Sequence, residues 1–316
     1  MTENFPTDAG VVPPVEAWST AMSGPLAPGV HTIQVGGLAQ RYHVYGQGAA
    51  VVVAVPGGPG VYWDSLRMPE VERHVTVVYV EPLGTGDSGR LPTHPDGYTR
   101  AVYADALDQV IRHLGRPRVH LLGHSYGGFV AQYYAANQPA LLAGLILYES
   151  APVTGEEQGA ESMRLLGEFM ARNEGNPAVP EVLKSLQSVG GITDDEELTA
   201  TLQGLLPAYF ADYWGREAEL SPVRDSVKVT YISGRAADGT PGVISDRSLL
   251  ATIKVPTLVI AGKYDVICGE KWGREIHSLV PGSRLLILEH SGHLGHVEEP
   301  ERFTKAITDF VAAVAA

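Results

Sequence analysis

The sequence predicts an α/β fold, with a mostly parallel sheet, helices on both of its faces and a helical insertion. Three observations predict it. Runs rich in β-branched residues, such as Val51–Val55 and Val75–Val80, are typical of strands buried on both faces. Amphipathic helical patterns lie between several such runs, and strands alternating with helices build a parallel sheet. Residues 153–250 then break the alternation with helical segments and few strand-like runs.

Residues 1–28 are rich in proline, glycine and polar residues, and we expect a loosely structured lead-in there. They have no basic start and no long apolar run, so a secretory signal peptide is not expected. Ile33–Val35 and Arg41–Val44 predict a short antiparallel pair around Gly36 and Gly37.

The predicted core spans residues 29–152 and 251–316. Tyr98–Leu114 places apolar residues on one helical face before Gly115, a C-terminal stop signal, and the last helix is predicted to begin at Pro300. The further strand-like runs are Val119–Leu122, Leu145–Leu147, Thr257–Ala261 and Leu285–Leu288. The insertion, residues 153–250, is predicted to be a cap with helices over Glu161–Asn173, Pro180–Val189 and Glu196–Phe210. A cap over the carboxyl ends of the strands would cover the place where open α/β sheets bind ligands.

Composition excludes several classes of function. The net charge of −13 opposes binding to nucleic acid and to an anionic membrane surface. Cys268 is the single cysteine, so no intrachain disulfide can form. No apolar stretch approaches the roughly 20 residues that span a bilayer. We therefore expect a cytoplasmic protein that binds neither nucleic acid nor a membrane, and the charge is compatible with cationic or neutral small substrates. The oligomeric state stays open.

The segment Gly123–Gly127, which reads Gly-His-Ser-Tyr-Gly, is the strongest chemical signal. It follows the strand-like run that ends at Leu122 and precedes the helical stretch Phe129–Asn137. A sharp turn between a strand and a helix presents a serine hydroxyl at the top of a sheet, and the flanking glycines permit close packing. Ser125 is therefore the predicted nucleophile.

A serine nucleophile needs a base and an acid that orients the base. Asp265 and His293 each follow a predicted strand and come after Ser125 in the order Ser, Asp, His. His290 and His296 compete with His293, and His296 is the second choice. Gly292 makes room for a tight loop before His293 and favours it. The glycines among these histidines oppose a helix that would present a metal site, so no metal is predicted.

Pro56–Gly60 directly follows the strand Val51–Val55 and is the expected source of an oxyanion donor. The predicted hole combines the amides of Tyr126 and Gly58, with Gly57 as the alternative. The run Gly84–Gly89 matches a dinucleotide-binding pattern, but prolines surround it and no helix begins at its last glycine. No cofactor is predicted.

These motifs resemble the α/β-hydrolase superfamily, and more narrowly the proline iminopeptidases (prolyl aminopeptidases). The narrower resemblance rests on Gly57–Gly60 and on Gly262–Cys268, and the insertion matches that family's cap in position. The sequence departs from the family at Pro56, where histidine is usual, at Glu81–Gly84, where Asp-Gln-Arg-Gly is usual, and at Tyr126, where tryptophan is common.

The resemblance implies a serine hydrolase with an α/β-hydrolase fold that cleaves an amide through an acyl-enzyme, as an aminopeptidase of short peptides or amino-acid amides. That family anchors a free amino terminus with acids, and Glu149, Glu217 and Glu219 are the candidates here. The alternative is an esterase, lactonase or amidase with a small-molecule substrate. A non-enzymatic scaffold is a third class, opposed by the presence of all three triad residues.

Overall fold

Eight strands form one sheet in the computed structural model, which describes residues 24–314. The strands are β1 (Gly29–Val35), β2 (Leu38–Tyr45), β3 (Val51–Val55), β4 (Thr76–Val80), β5 (Val119–His124), β6 (Leu142–Tyr148), β7 (Thr257–Gly262) and β8 (Arg284–Leu288). Their order is β1-β2-β4-β3-β5-β6-β7-β8. The first two pairings, β1 with β2 and β2 with β4, are antiparallel and all others are parallel. The predicted α/β-hydrolase fold is confirmed.

Helices occupy both faces of this sheet and the insertion. In chain order the helices are α1 (Pro69–Glu72), α2 (Arg100–His113), α3 (Tyr126–Asn137), α4 (Glu156–Arg172), α5 (Val179–Ser188), α6 (Asp195–Leu205), α7 (Glu217–Ser226), α8 (Arg247–Leu250), α9 (Glu270–Leu279), α10 (Gly295–Glu298) and α11 (Pro300–Val314). Most of the predicted lead-in, residues 1–23, lies outside the described residues. None of the helices in residues 24–314 is both long and apolar enough to cross a membrane.

The core lies in two layers because neighbouring strand residues point to opposite faces. Val53 and Leu121 pack with α2, α3, α8 and α9 on one face. Val52 and Leu122 pack with α1 and α11 on the other. With both faces covered, the central strands are apolar throughout, as the sequence predicts.

The insertion forms its own apolar clusters and rests on the loops that follow β7 and β8. Leu165, Phe169 and Leu205 pack with Val266, the residue after Asp265. Phe210 and Leu220 belong to a second cluster that includes Leu294, the residue after His293 (4% exposed). The helical segments of residues 153–250 therefore pack directly on the loops that carry the predicted acid and base. The domain limits themselves stay a prediction.

The long helix predicted over Glu196–Phe210 is shorter in the structure. Asp194 caps α6 by accepting from the amides of Glu196 and Glu197, and the helix ends at Leu205. Pro207 follows within a 3-10 turn, Leu206–Tyr209. Proline lacks the amide hydrogen that an α-helix needs there, which accounts for the change.

Candidate active site

Ser125 stands at the turn between β5 and α3 in a strained backbone conformation, with φ 53° and ψ −118°. Its amide donates to the carbonyl of Tyr148 at 2.9 Å, and its carbonyl accepts from Gly128 at the same distance. A Cβ at Gly123 would lie 2.3 Å from the carbonyl oxygen of Gly127, which no side chain tolerates. The strain costs about 1–3 kcal/mol and is typical of a functional turn. The fold thus holds Ser125 as a nucleophile elbow requires.

His293 and Asp265 form a buried pair. The Nδ1 atom of His293 lies 2.8 Å from Oδ2 of Asp265, and the two residues are 4% and 0% exposed. The other carboxylate oxygen accepts from the amides of Ile267 and Cys268, at 2.7 and 3.0 Å. Burial opposes ionisation of Asp265, but His293 and these two amides outweigh it and lower its pKa. An ionised Asp265 therefore directs the Nδ1 hydrogen of His293, which leaves Nε2 to act as a base.

The two competing histidines have other surroundings. His290 is exposed. His296 is buried and its Nδ1 atom lies 3.0 Å from the hydroxyl of Tyr148. Burial lowers the pKa of His296 to about 4. Of the three histidines, His293 is the one that Asp265 contacts.

The predicted oxyanion donors lie beside Ser125. A Cβ built on Gly57 would lie 3.3 Å from Cβ and 3.7 Å from Oγ of Ser125, so this loop runs directly against the nucleophile. Gly58 lines the same cavity as Ser125. Tyr126 is the first residue of α3, where the helix dipole favours negative charge. Gly57 and Gly58 therefore both remain candidates for the second donor.

Ser125 and His293 open into a cavity of about 300 Å³ between the core and the insertion. Its walls are mainly apolar, and within residues 24–314 no aspartate, glutamate, lysine or arginine is among them. The lining residues are Gly57, Gly58, Pro59, Val61, Ser65, His124, Ser125, Val189, Leu198, Leu202, Leu205, Leu206, Tyr209, Val227, Val229, Ile267, His293 and Leu294. A larger cleft of about 630 Å³, between α4 and α9, has charged walls and contains no triad residue.

The sequence matches the family model described as alpha/beta hydrolase fold over residues 50–300. This chain belongs to the alpha/beta hydrolase fold family. Among curated proteins it is similar to a proline iminopeptidase from Saccharolobus solfataricus, with 27% identity over 282 residues that cover 83% of this chain and 85% of the relative.

Two solved structures resemble this alpha/beta hydrolase over nearly their whole length. VinJ is 27% identical with a TM-score of 0.68, over 90% of this chain and 98% of VinJ. The enol-lactonase from Burkholderia xenovorans LB400 is 22% identical with a TM-score of 0.67, over 89% of this chain and 100% of that enzyme. The second likeness concerns the fold alone.

The three acids predicted to bind substrate lie outside the cavity wall of this alpha/beta hydrolase. Glu149 is fully buried next to Asp265. Glu217 and Glu219 lie exposed at the start of α7, and Glu219 pairs with Arg216 at 2.6 Å. The structure therefore does not bring these three acids together.

Glu298 is a buried acid near His293 that the sequence does not single out. Its carboxyl oxygens accept from the amide of Ala211 in the insertion and from that of Gly292 beside His293, both at 2.7 Å. Burial raises the pKa of Glu298 to about 7. Its position five residues after His293 is the only sequence signal, and it does not distinguish Glu298 from Glu299 and Glu301 nearby.

Proposed function

We propose that this alpha/beta hydrolase cleaves small, uncharged carboxylic esters or lactones through an acyl-enzyme on Ser125. The observation that carries the proposal is the cavity beside Ser125, whose described walls are mainly apolar and hold no aspartate, glutamate, lysine or arginine. At about 300 Å³ it lies at the small end of the usual range for ligand pockets. Apolar walls favour an acyl or alcohol group of similar polarity.

In the proposed reaction, Ser125 Oγ attacks the carbonyl carbon while His293 accepts the hydroxyl proton at Nε2. Asp265 stabilises the imidazolium that forms. The amides of Tyr126 and of Gly58 or Gly57 donate to the oxyanion. His293 returns the proton to the leaving alkoxide, and water then releases the acid by the same steps in reverse order.

The apolar walls argue against an anchored ammonium group. Moving a charged amine from water into such a cavity is costly unless a carboxylate pairs with it. Glu217 and Glu219 are exposed, and Glu149 lies behind Asp265. A neutral ester or lactone avoids this cost.

An aminopeptidase acting on amino-acid amides is the second candidate. It is supported by the 27% identity with the proline iminopeptidase from Saccharolobus solfataricus. Binding a free amino terminus would then require cap acids to approach the cavity after substrate enters.

A matched substrate panel tests both candidates. We expect p-nitrophenyl acetate, butyrate and hexanoate and simple lactones to be hydrolysed with higher kcat/KM than prolyl and alanyl p-nitroanilides. Acetylating the amino group of the anilides is expected to leave any residual activity unchanged or raised. Anilide turnover that exceeds ester turnover and is abolished by acetylation would instead establish the aminopeptidase.

Labelling by a fluorophosphonate probe separates either enzyme from a scaffold. The wild type is expected to be labelled and Ser125→Ala is not. A folded wild-type protein that stays unlabelled would contradict the proposed acyl-enzyme chemistry.

A further inference from the structure

Glu149 is a buried acid that the proposed reaction does not use. It follows β6 directly, is 0% exposed and has a left-handed backbone with φ 45°. Its amide donates to the carbonyl of Ile260 in β7 at 2.9 Å. The strands thus fix Glu149 at the same sheet edge as Asp265. A strained, fully buried carboxyl group is costly, so its place beside the triad calls for an explanation.

Within residues 24–314, only one of the two carboxyl oxygens of Glu149 accepts a hydrogen bond. Its Oε2 atom accepts from the amide of Gly262 at 2.8 Å. Its Oε1 atom has no hydrogen-bond partner among the described residues. Because Oε2 is already an acceptor, a proton on this group would reside on Oε1, the oxygen that is free to donate.

The groups around Glu149 favour its neutral form. Asp265 and Glu298 are the neighbouring acids, and the Tyr148 hydroxyl and the Cys268 thiol are the other titratable groups packed here. Burial, followed by the charge of Asp265, raises the pKa of Glu149 well above its usual range. His293 and two amides stabilise the charge on Asp265. Two adjacent carboxyl groups then share a single negative charge.

We propose that Glu149 is a positioning residue: a neutral carboxylic acid whose Oε1 hydroxyl faces the Asp265 carboxylate and restrains it for its bond to His293. Glu149 is absent from the cavity wall, so it acts through Asp265 and not on substrate. The inference rests on the proposed function, because it assigns a role within the same triad.

Glu149→Gln and Glu149→Leu test the proposal. Glutamine is always neutral and keeps both an acceptor for Gly262 and a donor for Asp265, whereas leucine has neither. We expect Glu149→Gln to keep kcat within about threefold and Glu149→Leu to lower it about tenfold or more with little change in KM, because a group acting only on the base affects the chemical step. Wild-type kcat in a folded Leu variant would overturn the role.

The acidic limb of the pH profile of kcat/KM shows whether Glu149 acts as a neutral positioning group. If Glu149 is neutral, Glu149→Gln removes no charge and the limb stays in place. If Glu149 is ionised, the substitution removes an anion near His293 and moves the limb to lower pH by about one unit. The second result would overturn the proposal.

Two measurements decide the protonation state without any turnover. The wild type at neutral pH is expected to show an infrared band of a protonated carboxylic acid that is missing in Glu149→Gln. The titration midpoint of the His293 imidazole, followed by NMR and assigned with His293→Gln, is expected to be equal in the two proteins. Loss of a carboxylate band in Glu149→Gln would contradict the inference even if no tested ester is hydrolysed.

Asp108→Asn is the matched control. Asp108 is also a buried carboxyl, but it lies on α2, where it pairs with Arg112 at 2.6 Å. Its substitution is expected to remove a carboxylate band and to leave the His293 titration unchanged. A loss of kcat in Asp108→Asn as large as that in Glu149→Leu would attribute the loss to general destabilisation and overturn the specific role of Glu149.

Discussion

The amide of His293 donates to the carbonyl of Tyr209 at 2.6 Å, and the two rings meet edge to face with centroids 5.2 Å apart. Tyr209 belongs to the insertion, whereas His293 belongs to the loop after β8. The contact is close enough that a Cβ on Gly292 would lie 2.1 Å from the Tyr209 carbonyl oxygen. The insertion therefore takes part in holding His293, the proposed base.

Removing the Tyr209 ring is expected to impair the base. Tyr209→Ala takes away the edge contact with His293 and is expected to lower kcat by about ten- to a hundredfold, since small displacements of a reacting group have effects of this size. Tyr209→Phe keeps the ring and is expected to stay within about threefold of wild type. Steady-state kinetics on the best ester decides, and equal loss in both variants would refute a role for the ring.

Ser125→Ala is expected to lower kcat on the order of a million-fold, as in other hydrolases that lose the nucleophile. Circular dichroism of the variant should match that of the wild type, because the side chain removed is small. A folded variant that retains a tenth of wild-type turnover would exclude Ser125 as the nucleophile.

Asp265→Asn is expected to lower kcat about ten-thousand-fold. The amide group can present a donor where His293 needs an acceptor, which favours the wrong tautomer of the imidazole. Fluorophosphonate labelling should slow to a similar degree, because it uses the same base. Labelling at the wild-type rate would show that Asp265 does not orient His293.

Stability is expected to depend on pH through Glu298. Its pKa is raised from about 4.3 in the unfolded chain to about 7 in the fold, so the folded state holds the extra proton between these values. This contribution is complete below the unfolded pKa and is lost as the pH rises through the folded pKa. The free energy of unfolding of the wild type, relative to Glu298→Gln, should fall by on the order of 3 kcal/mol from the lower value to the upper.

Urea unfolding of the two proteins at several pH values measures this difference. Glutamine does not titrate, so the variant removes only this one group from the pH dependence. A difference that stays constant with pH would show that Glu298 has the same proton occupancy in both states.

Filling the cavity is expected to select against long acyl chains. Leu202→Trp adds bulk to the cavity wall and should lower kcat/KM for hexanoate about tenfold or more relative to acetate. Leu183→Trp is the matched control, because Leu183 packs within the cap cluster but does not line the cavity. An unchanged ratio of hexanoate to acetate in Leu202→Trp would place the acyl group elsewhere.

Local patterns in the sequence were sufficient to predict the sheet and the elbow. The valine-rich run Val51–Val55 is buried throughout, and Gly123 and Gly127 occupy positions where a Cβ would collide with backbone. Asp265 and His293 were predicted as a pair from their order in the chain and their positions after strands, and they are in hydrogen-bond contact in the structure. These features depend on neighbours a few residues away or on the common direction of parallel strands.

The cap and the surroundings of the triad were harder to predict because they depend on contacts between distant segments. In the sequence Glu149 looks like an ordinary surface acid. The pairing of β6 with β7 is what places it, fully buried, next to Asp265. Helix α7 was not predicted from the sequence, because Pro222 within it is unfavourable in a helix interior. Glu298 gains its role from Ala211, 87 residues away.

Hydrogen bonds join Tyr209 and Ala211 to the segment around His293. The insertion therefore has one part that supports His293 and another, on α6, that only lines the cavity, and the two parts differ in what their substitution should change. Substitution in the first part is expected to alter selectivity and rate together, because Tyr209 lines the cavity and its carbonyl also holds the amide of His293. Leu198 and Leu202 contribute to the wall from α6. A library restricted to these α6 positions should therefore broaden the range of accepted acyl groups while preserving turnover.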